Sequence, residues 1–131
     1  MMDISMIKFG ENKPSELFAG IAEQAAQKIK SNKNANKQTQ IRKFYDELAM
    51  WNEKVQLNRE DREGEYKKQE VFIKMLKAKV AYAEGRKHID RNFSEIFNRC
   101  IDQVNSAETL KYAKLFMEAV MGFCKLEEVR N

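Results

Sequence analysis

Five stretches of the chain repeat apolar residues every three or four positions, which is the spacing of one buried helix face. They cover about residues 15–30, 39–58, 66–85, 89–105 and 106–128. No stretch sustains the alternation of apolar and polar residues that a half-buried strand requires. The pattern therefore predicts an all-α fold, a compact bundle of about five helices.

Each predicted helix has one apolar face that is expected to point into the core. In chain order, the residues of these faces are Leu17, Phe18, Ile21, Ala25, Ile29, Ile41, Phe44, Tyr45, Leu48, Trp51, Asn52, Val55, Phe72, Ile73, Leu76, Val80, Ala83, Phe93, Ile96, Phe97, Cys100, Ile101, Val104, Leu110, Ala113, Phe116, Met117, Val120 and Phe123. Most aromatic residues of the chain lie on these faces, so they are expected to pack the bundle and not to bind a ligand.

The helical pattern divides the chain into an N-terminal arm and one helical domain that contains a polar linker. Residues 1–13 show no clear periodicity and are predicted to be a flexible N-terminal arm. Residues 14–131 are predicted to form a single helical-bundle domain, because a chain of 131 residues suits one core better than two. Within this domain, a polar linker rich in Asn, about residues 31–38, is expected to be mobile because Asn favours turns over helix.

Composition narrows the classes of function. One Pro and five Gly disfavour a turn-rich all-β fold, and 34% charged residues indicate a soluble protein. The net charge is only +4 and acidic residues are interspersed with basic ones, so a site for a polyanion must be a local patch. The chain has no apolar run long enough to span a membrane and no signal-peptide core at its N-terminus, so a cytoplasmic location is expected.

No catalytic or metal-binding motif stands out. Cys100 and Cys124, with the distant His88, do not supply the four ligands of a structural zinc site, and both thiols are expected to be buried and reduced. His88 is the only histidine, so it can supply at most one of the two acid–base groups that a metal-independent ribonuclease uses. The chain is therefore predicted not to be an enzyme and to need no cofactor or metal.

Lysine and arginine residues line the edges of the second and third predicted helices. On the third helix, Lys79, Tyr82 and Arg86 fall on one stripe with Met75, next to the apolar face. Such a row of two cations and a phenol can contact successive phosphates or stack beneath a ribose. An alternative of equal weight is an interface or a partly buried edge, where the long side chains lie over apolar neighbours.

The second helix has a similar edge. Lys43 and Lys54 share it with Glu47, which is expected to pair with a cation of its own helix. Arg42 projects from the opposite edge. Because these rows are short, RNA binding by the isolated chain is expected to be weak and dependent on salt.

Four segments of the chain keep an order and a spacing similar to those of a known family. They are QIRKFYDEL (40–48), LKAKVAYAEGR (76–86), the apolar positions Phe93, Phe97 and Ile101, and FMEAV (116–120). Together they resemble the small subunit of type III-A CRISPR effector complexes, the Csm family. The resemblance covers about residues 38–126, which is most of the chain.

The resemblance implies a non-catalytic helical bundle that stacks in several copies along a ribonucleoprotein. It implies contact with the backbone of the guide (CRISPR) RNA and the target RNA without sequence specificity, since base pairing reads the sequence. It also implies contacts with the backbone subunits and the large subunit of the complex, and no small-molecule substrate.

The resemblance also suggests which residues touch RNA. The family's basic positions correspond to Arg42, Lys43, Lys77, Lys79 and Arg86, and helical geometry adds Lys54, Lys74 and Tyr82. These residues are the candidate RNA-binding site. The alternative is a helical adaptor that binds only proteins and whose cations merely keep it in solution.

Overall fold

The computed structural model describes residues 2–130, which form six α-helices and one short 3-10 helix, Ile4–Met6. The α-helices are α1 (Gly20–Lys30), α2 (Gln38–Leu57), α3 (Arg62–Lys74), α4 (Leu76–Gly85), α5 (Arg91–Asp102) and α6 (Ala107–Arg130). The described residues contain no strand. The predicted all-α bundle is confirmed, and its third helix is divided at Met75 into α3 and α4.

The division at Met75 is a bend and not a loop. Met75 keeps helical dihedral angles (φ −64°, ψ −18°), with ψ shifted toward the 3-10 value. Its N–H donates to the carbonyl oxygen of Val71 at 3.2 Å, and its own carbonyl accepts from the N–H groups of Ala78 and Lys79. Residues on one side of α3 therefore continue onto the same side of α4.

The core forms where α6 packs against α1 and α2, and where α5 packs against α4 and α1. Phe44, Phe93 and Phe97 make an aromatic cluster that joins α2 to α5, with ring centroids 5.6–5.7 Å apart. Phe93 and Phe97 are fully buried, as predicted. The whole predicted face of α5 is buried, because its apolar residues form one continuous stripe.

The first helix begins later than predicted. Residues 15–19 form turns, and α1 begins at Gly20. Phe18, which was expected to face the core, is 38% exposed, and its ring centroid lies 6.4 Å from that of Tyr112. Leu17 is buried. Leu17 and Phe18 therefore lie in turns that precede α1, and not in the helix that was predicted for them.

The N-terminal segment, which was predicted to be a flexible arm, packs against the bundle. Ile7 and Phe9 are buried in the core, and the Phe9 ring lies 5.9 Å from that of Phe116. Arg99 of α5 donates from Nε to the carbonyl oxygen of Ile7 at 3.0 Å. Two apolar residues at alternate positions are too short a pattern to indicate burial from the sequence. Met1 lies outside the described residues.

Asn36 anchors the linker between α1 and α2, which was predicted to be mobile. Asn36 is fully buried and has φ 58°, in the left-handed region that Asn tolerates. Its Nδ2 donates to the carbonyl oxygen of Ile29 at 3.0 Å and to Oδ1 of Asp90 at 2.6 Å. Its Oδ1 accepts from the N–H of Asp90 at 2.9 Å. Asn36 therefore connects the end of α1 to the start of α5.

Cys100 and Cys124 are free thiols, and both are buried, as predicted. Burial raises the pKa of both thiols, that of Cys124 to about 12. Both are therefore protonated near neutral pH and act as small apolar residues of the core.

Candidate nucleic-acid interface

The cations predicted on α2 lie on two different sides of the helix. Lys54 is on the side of α3, where its Nζ lies 5.9 Å from the ring of Trp51. Lys43 is exposed and precedes Glu47 by one turn on this side. Arg42 is on the side of α6, where it pairs with Asp46 at 3.8 Å. Arg42 therefore does not share a surface with Lys43 and Lys54.

The row predicted on the third helix lies on the surface of α4. Tyr82 is 66% exposed, and Lys79 and Arg86 are exposed as well. Arg86 donates from Nη1 to the Tyr82 hydroxyl at 3.0 Å, and its guanidinium lies 5.7 Å from the Tyr82 ring. The arrangement is thus an open row, and the alternative of a partly buried edge does not hold.

Lys79 connects this row to α2 through Glu47. Its Nζ donates to both carboxylate oxygens of Glu47, at 2.8 and 3.0 Å. Trp51 Nε1 donates to the same carboxylate at 3.4 Å. Glu47 therefore pairs across helices and not, as expected, with a cation of α2. An exposed pair of this kind contributes less than about 1 kcal/mol, so a phosphate can replace the carboxylate at little cost.

Phe72 was predicted to face the core, but it is 50% exposed. Its ring stacks on Trp51, with centroids 5.8 Å apart and planes 8° from parallel. Lys68 precedes Phe72 by one turn and is exposed. We call the surface that these side chains form the α2–α4 face, which comprises Lys43, Glu47, Met50, Trp51, Lys54, Lys68, Phe72, Met75, Lys79, Tyr82 and Arg86.

Lys74 and Lys77 lie on the opposite side of α3 and α4, toward α5. Lys74 is half-buried, and its Nζ donates to the carbonyl oxygens of Ile101 and Val104 at 2.6 and 2.7 Å. Burial lowers the pKa of this ammonium. The structure therefore places the Lys74 ammonium at the C-terminal end of α5 and not on the α2–α4 face. Lys77 pairs with Asp102 at 2.6 Å and is also remote from the α2–α4 face.

A groove between α2 and α6 forms only when the two helices pack, so helical periodicity does not indicate it. Arg42 lines this groove with Tyr45, Glu118 and Lys125. Lys114 pairs with Glu118, which also accepts a hydrogen bond from the Tyr45 hydroxyl. Helical periodicity indicates only the apolar face of α6 and gives no signal for its cations at the groove. Two cations and one carboxylate line the groove, whereas the α2–α4 face has five cations and one carboxylate, so it is the more cationic of the two surfaces.

His88 is exposed in the loop between α4 and α5, as expected for a helix junction. Among residues 2–130, no group of three or more His, Cys, Asp and Glu side chains is placed to hold a metal ion. Within the same range, no helix is long and apolar enough to cross a membrane.

The fold and the α2–α4 face define a small helical bundle with cations and aromatic rings on one surface. A family model described as Csm2 Type III-A matches residues 12–129. The chain therefore belongs to the Csm2 family, the small subunit of type III-A CRISPR effector complexes, and the predicted resemblance is confirmed. The match also includes α1, which lies outside the segments that carried the resemblance. Comparisons with curated proteins and with solved structures give no match.

Proposed function

We propose that this chain is a non-catalytic RNA-contacting subunit whose α2–α4 face binds the backbone of the guide and target RNA. The observation that carries the proposal is the open row of Lys79, Tyr82 and Arg86, with Lys43 and Lys54 on the adjacent side of α2. Lysine and arginine contacts to phosphates hold RNA without reading its sequence, which suits a complex programmed by a guide.

Several copies of the chain stack along the complex in this proposal, next to its backbone subunits and its large subunit, in the cytoplasm. One copy offers few cations, so its affinity for RNA is low and falls steeply with salt. Stacked copies repeat the α2–α4 face, and the contacts then act together at a high effective concentration. Most of the RNA affinity therefore belongs to the assembled complex.

A second candidate function is a helical adaptor that binds only proteins. The observation that favours it is the exposure of Met50, Val71 and Met75, because clustered apolar side chains often mark protein interfaces. Photo-crosslinking in the assembled complex separates the two. An adaptor assembles equally well after nuclease treatment and gives no crosslink to RNA from the α2–α4 face.

The double substitution Lys79→Glu and Arg86→Glu is expected to weaken target-RNA binding by the reconstituted complex about tenfold at low salt. Two phosphate contacts are lost, so the slope of log affinity against log salt should become shallower by about 2. Filter binding at several salt concentrations measures both quantities.

A matched control is the double substitution Lys8→Glu and Lys67→Glu, which changes the net charge equally. Lys8 and Lys67 are exposed, and Lys67 lies on the opposite side of α3 from Phe72. The control should keep nearly the native affinity and slope. Equal losses of RNA affinity in both double variants would mean that only the net charge matters, and would contradict a specific role of the α2–α4 face.

A further inference from the structure

Phe72 occupies an unusual position for a phenylalanine. Its ring lies nearly parallel to that of Trp51, with centroids 5.8 Å apart, and half of the side chain remains open to water. Met50 and Met75, which belong to the same α2–α4 face, are also exposed. A single exposed apolar residue is ordinary, but a cluster around a stacked aromatic pair indicates a binding surface.

The charges around Phe72 indicate what binds there. Lys54 lies over Trp51 on one side of the ring pair, and Lys79 bonds to Glu47, the carboxylate that Trp51 contacts. Lys68 stands one turn before Phe72. A partner for this surface needs a flat apolar group flanked by negative charges. A nucleotide in an unpaired strand has both, in its base and its two neighbouring phosphates.

An RNA duplex fits this surface less well. Its bases are stacked on one another inside the helix, so it presents phosphates and ribose hydroxyls to a protein. The cations can bind those groups, but the Phe72 ring gains nothing from them. An unpaired base, in contrast, stacks on any exposed aromatic ring, whatever its identity.

We propose that the α2–α4 face binds an unpaired stretch of RNA, with one base stacked on Phe72 and flanking phosphates bound by Lys54 and Lys79. Tyr82 is a second stacking position, and Arg86, which lies against its ring, binds a further phosphate. This inference rests on the proposed function and deepens it, because it assigns the stacking contact to nucleotides of these RNAs that lie outside the guide–target duplex, while the cations still bind duplex phosphates.

Trp51 is the only tryptophan of the chain and stacks on Phe72, so its fluorescence reports on this surface. A uridine homopolymer and a fully paired RNA duplex of equal length are titrated against the full chain at low salt. The single strand is expected to quench Trp51 and to bind several-fold more tightly than the duplex. Anisotropy of labelled RNA gives the affinities independently of Trp51.

The substitution Phe72→Leu keeps an apolar side chain and removes the ring. It should weaken binding of the homopolymer about tenfold and leave duplex binding unchanged. Phe72→Tyr should restore the native affinity, since it restores the ring. Phe18→Leu is the matched control, because Phe18 is also a half-exposed aromatic residue that contacts another ring, that of Tyr112. It should change neither affinity.

The outcomes separate this inference from the proposed function. Equal affinities for both RNAs and no effect of Phe72→Leu overturn the stacking inference, while the loss in the Lys79 and Arg86 variant still supports backbone contact. If neither RNA binds and that variant also behaves as native in the complex, the proposed function fails as well. A Trp51 signal that changes only on adding other protein subunits assigns the surface to a protein and overturns the inference.

Discussion

Replacing Asn36 by alanine is expected to lower the free energy of unfolding of the chain by about 4 kcal/mol. The substitution removes the side-chain hydrogen bonds to the carbonyl oxygen of Ile29, to Oδ1 of Asp90 and from the N–H of Asp90. Each costs about 1 kcal/mol, because Asn36 is fully buried and water does not replace it. Holding alanine at φ 58° costs about 1 kcal/mol more.

Asn36→Gly separates the two contributions. Glycine adopts positive φ without strain, so this variant should lose about 3 kcal/mol and be more stable than Asn36→Ala by about 1 kcal/mol. Urea unfolding followed by circular dichroism and by Trp51 fluorescence measures both values. A loss below about 1 kcal/mol for Asn36→Ala would mean that the linker is as mobile as its composition predicts.

The burial pattern of α5 could be predicted from the sequence, and that of α3 could not. In α5 the apolar residues form a single stripe, so the pattern leaves one choice of inner face. In α3 the neighbours Phe72 and Ile73 point about 100° apart, and only Ile73 is buried. Trp51, distant in sequence, stacks on Phe72, and no local pattern indicates that contact.

The candidate site could likewise be predicted from the sequence only in part. The row of Lys79, Tyr82 and Arg86 follows from helical spacing alone, so the sequence predicts it correctly as a row. The carboxylate that binds Lys79 and the carbonyl oxygens that bind Lys74 come from other helices. Such partners depend on how the helices pack, so side chains that looked equally free in the sequence have different surroundings.

Lys74→Glu is expected to lower the free energy of unfolding by about 3 kcal/mol, and Lys74→Met by about 1 kcal/mol. The carboxylate of the first variant faces the carbonyl oxygens of Ile101 and Val104, which repel it. The methionine only removes two hydrogen bonds. The Ile101 carbonyl keeps the N–H of Val104 as a donor, and the Tyr66 hydroxyl, which donates to Glu70 at 2.8 Å, lies 3.3 Å from the Val104 carbonyl. Urea unfolding measures the difference.

The pH dependence gives an independent check on the position of Lys74. Burial lowers the pKa of its ammonium in the folded chain below the ordinary value of 10.5. Between these two pKa values the unfolded chain binds more protons, so native stability relative to Lys74→Met should rise with pH. Unfolding measured from about pH 8 to about pH 10 tests this sign, and a constant difference would place the ammonium in water.

Lys74→Met should lower stability and leave RNA binding unchanged, whereas Lys68→Met should weaken RNA binding and leave stability unchanged. Lys68 is exposed on the α2–α4 face, so its loss should weaken RNA binding several-fold without lowering stability. The two lysines lie on the same helix and the substitutions are identical, so each variant is the control for the other. Weaker RNA binding by Lys74→Met at unchanged stability would return Lys74 to the RNA site. Lower stability with unchanged RNA binding for Lys74→Met, and weaker RNA binding with unchanged stability for Lys68→Met, would show that Lys74 holds α5 in place and that Lys68 contacts RNA.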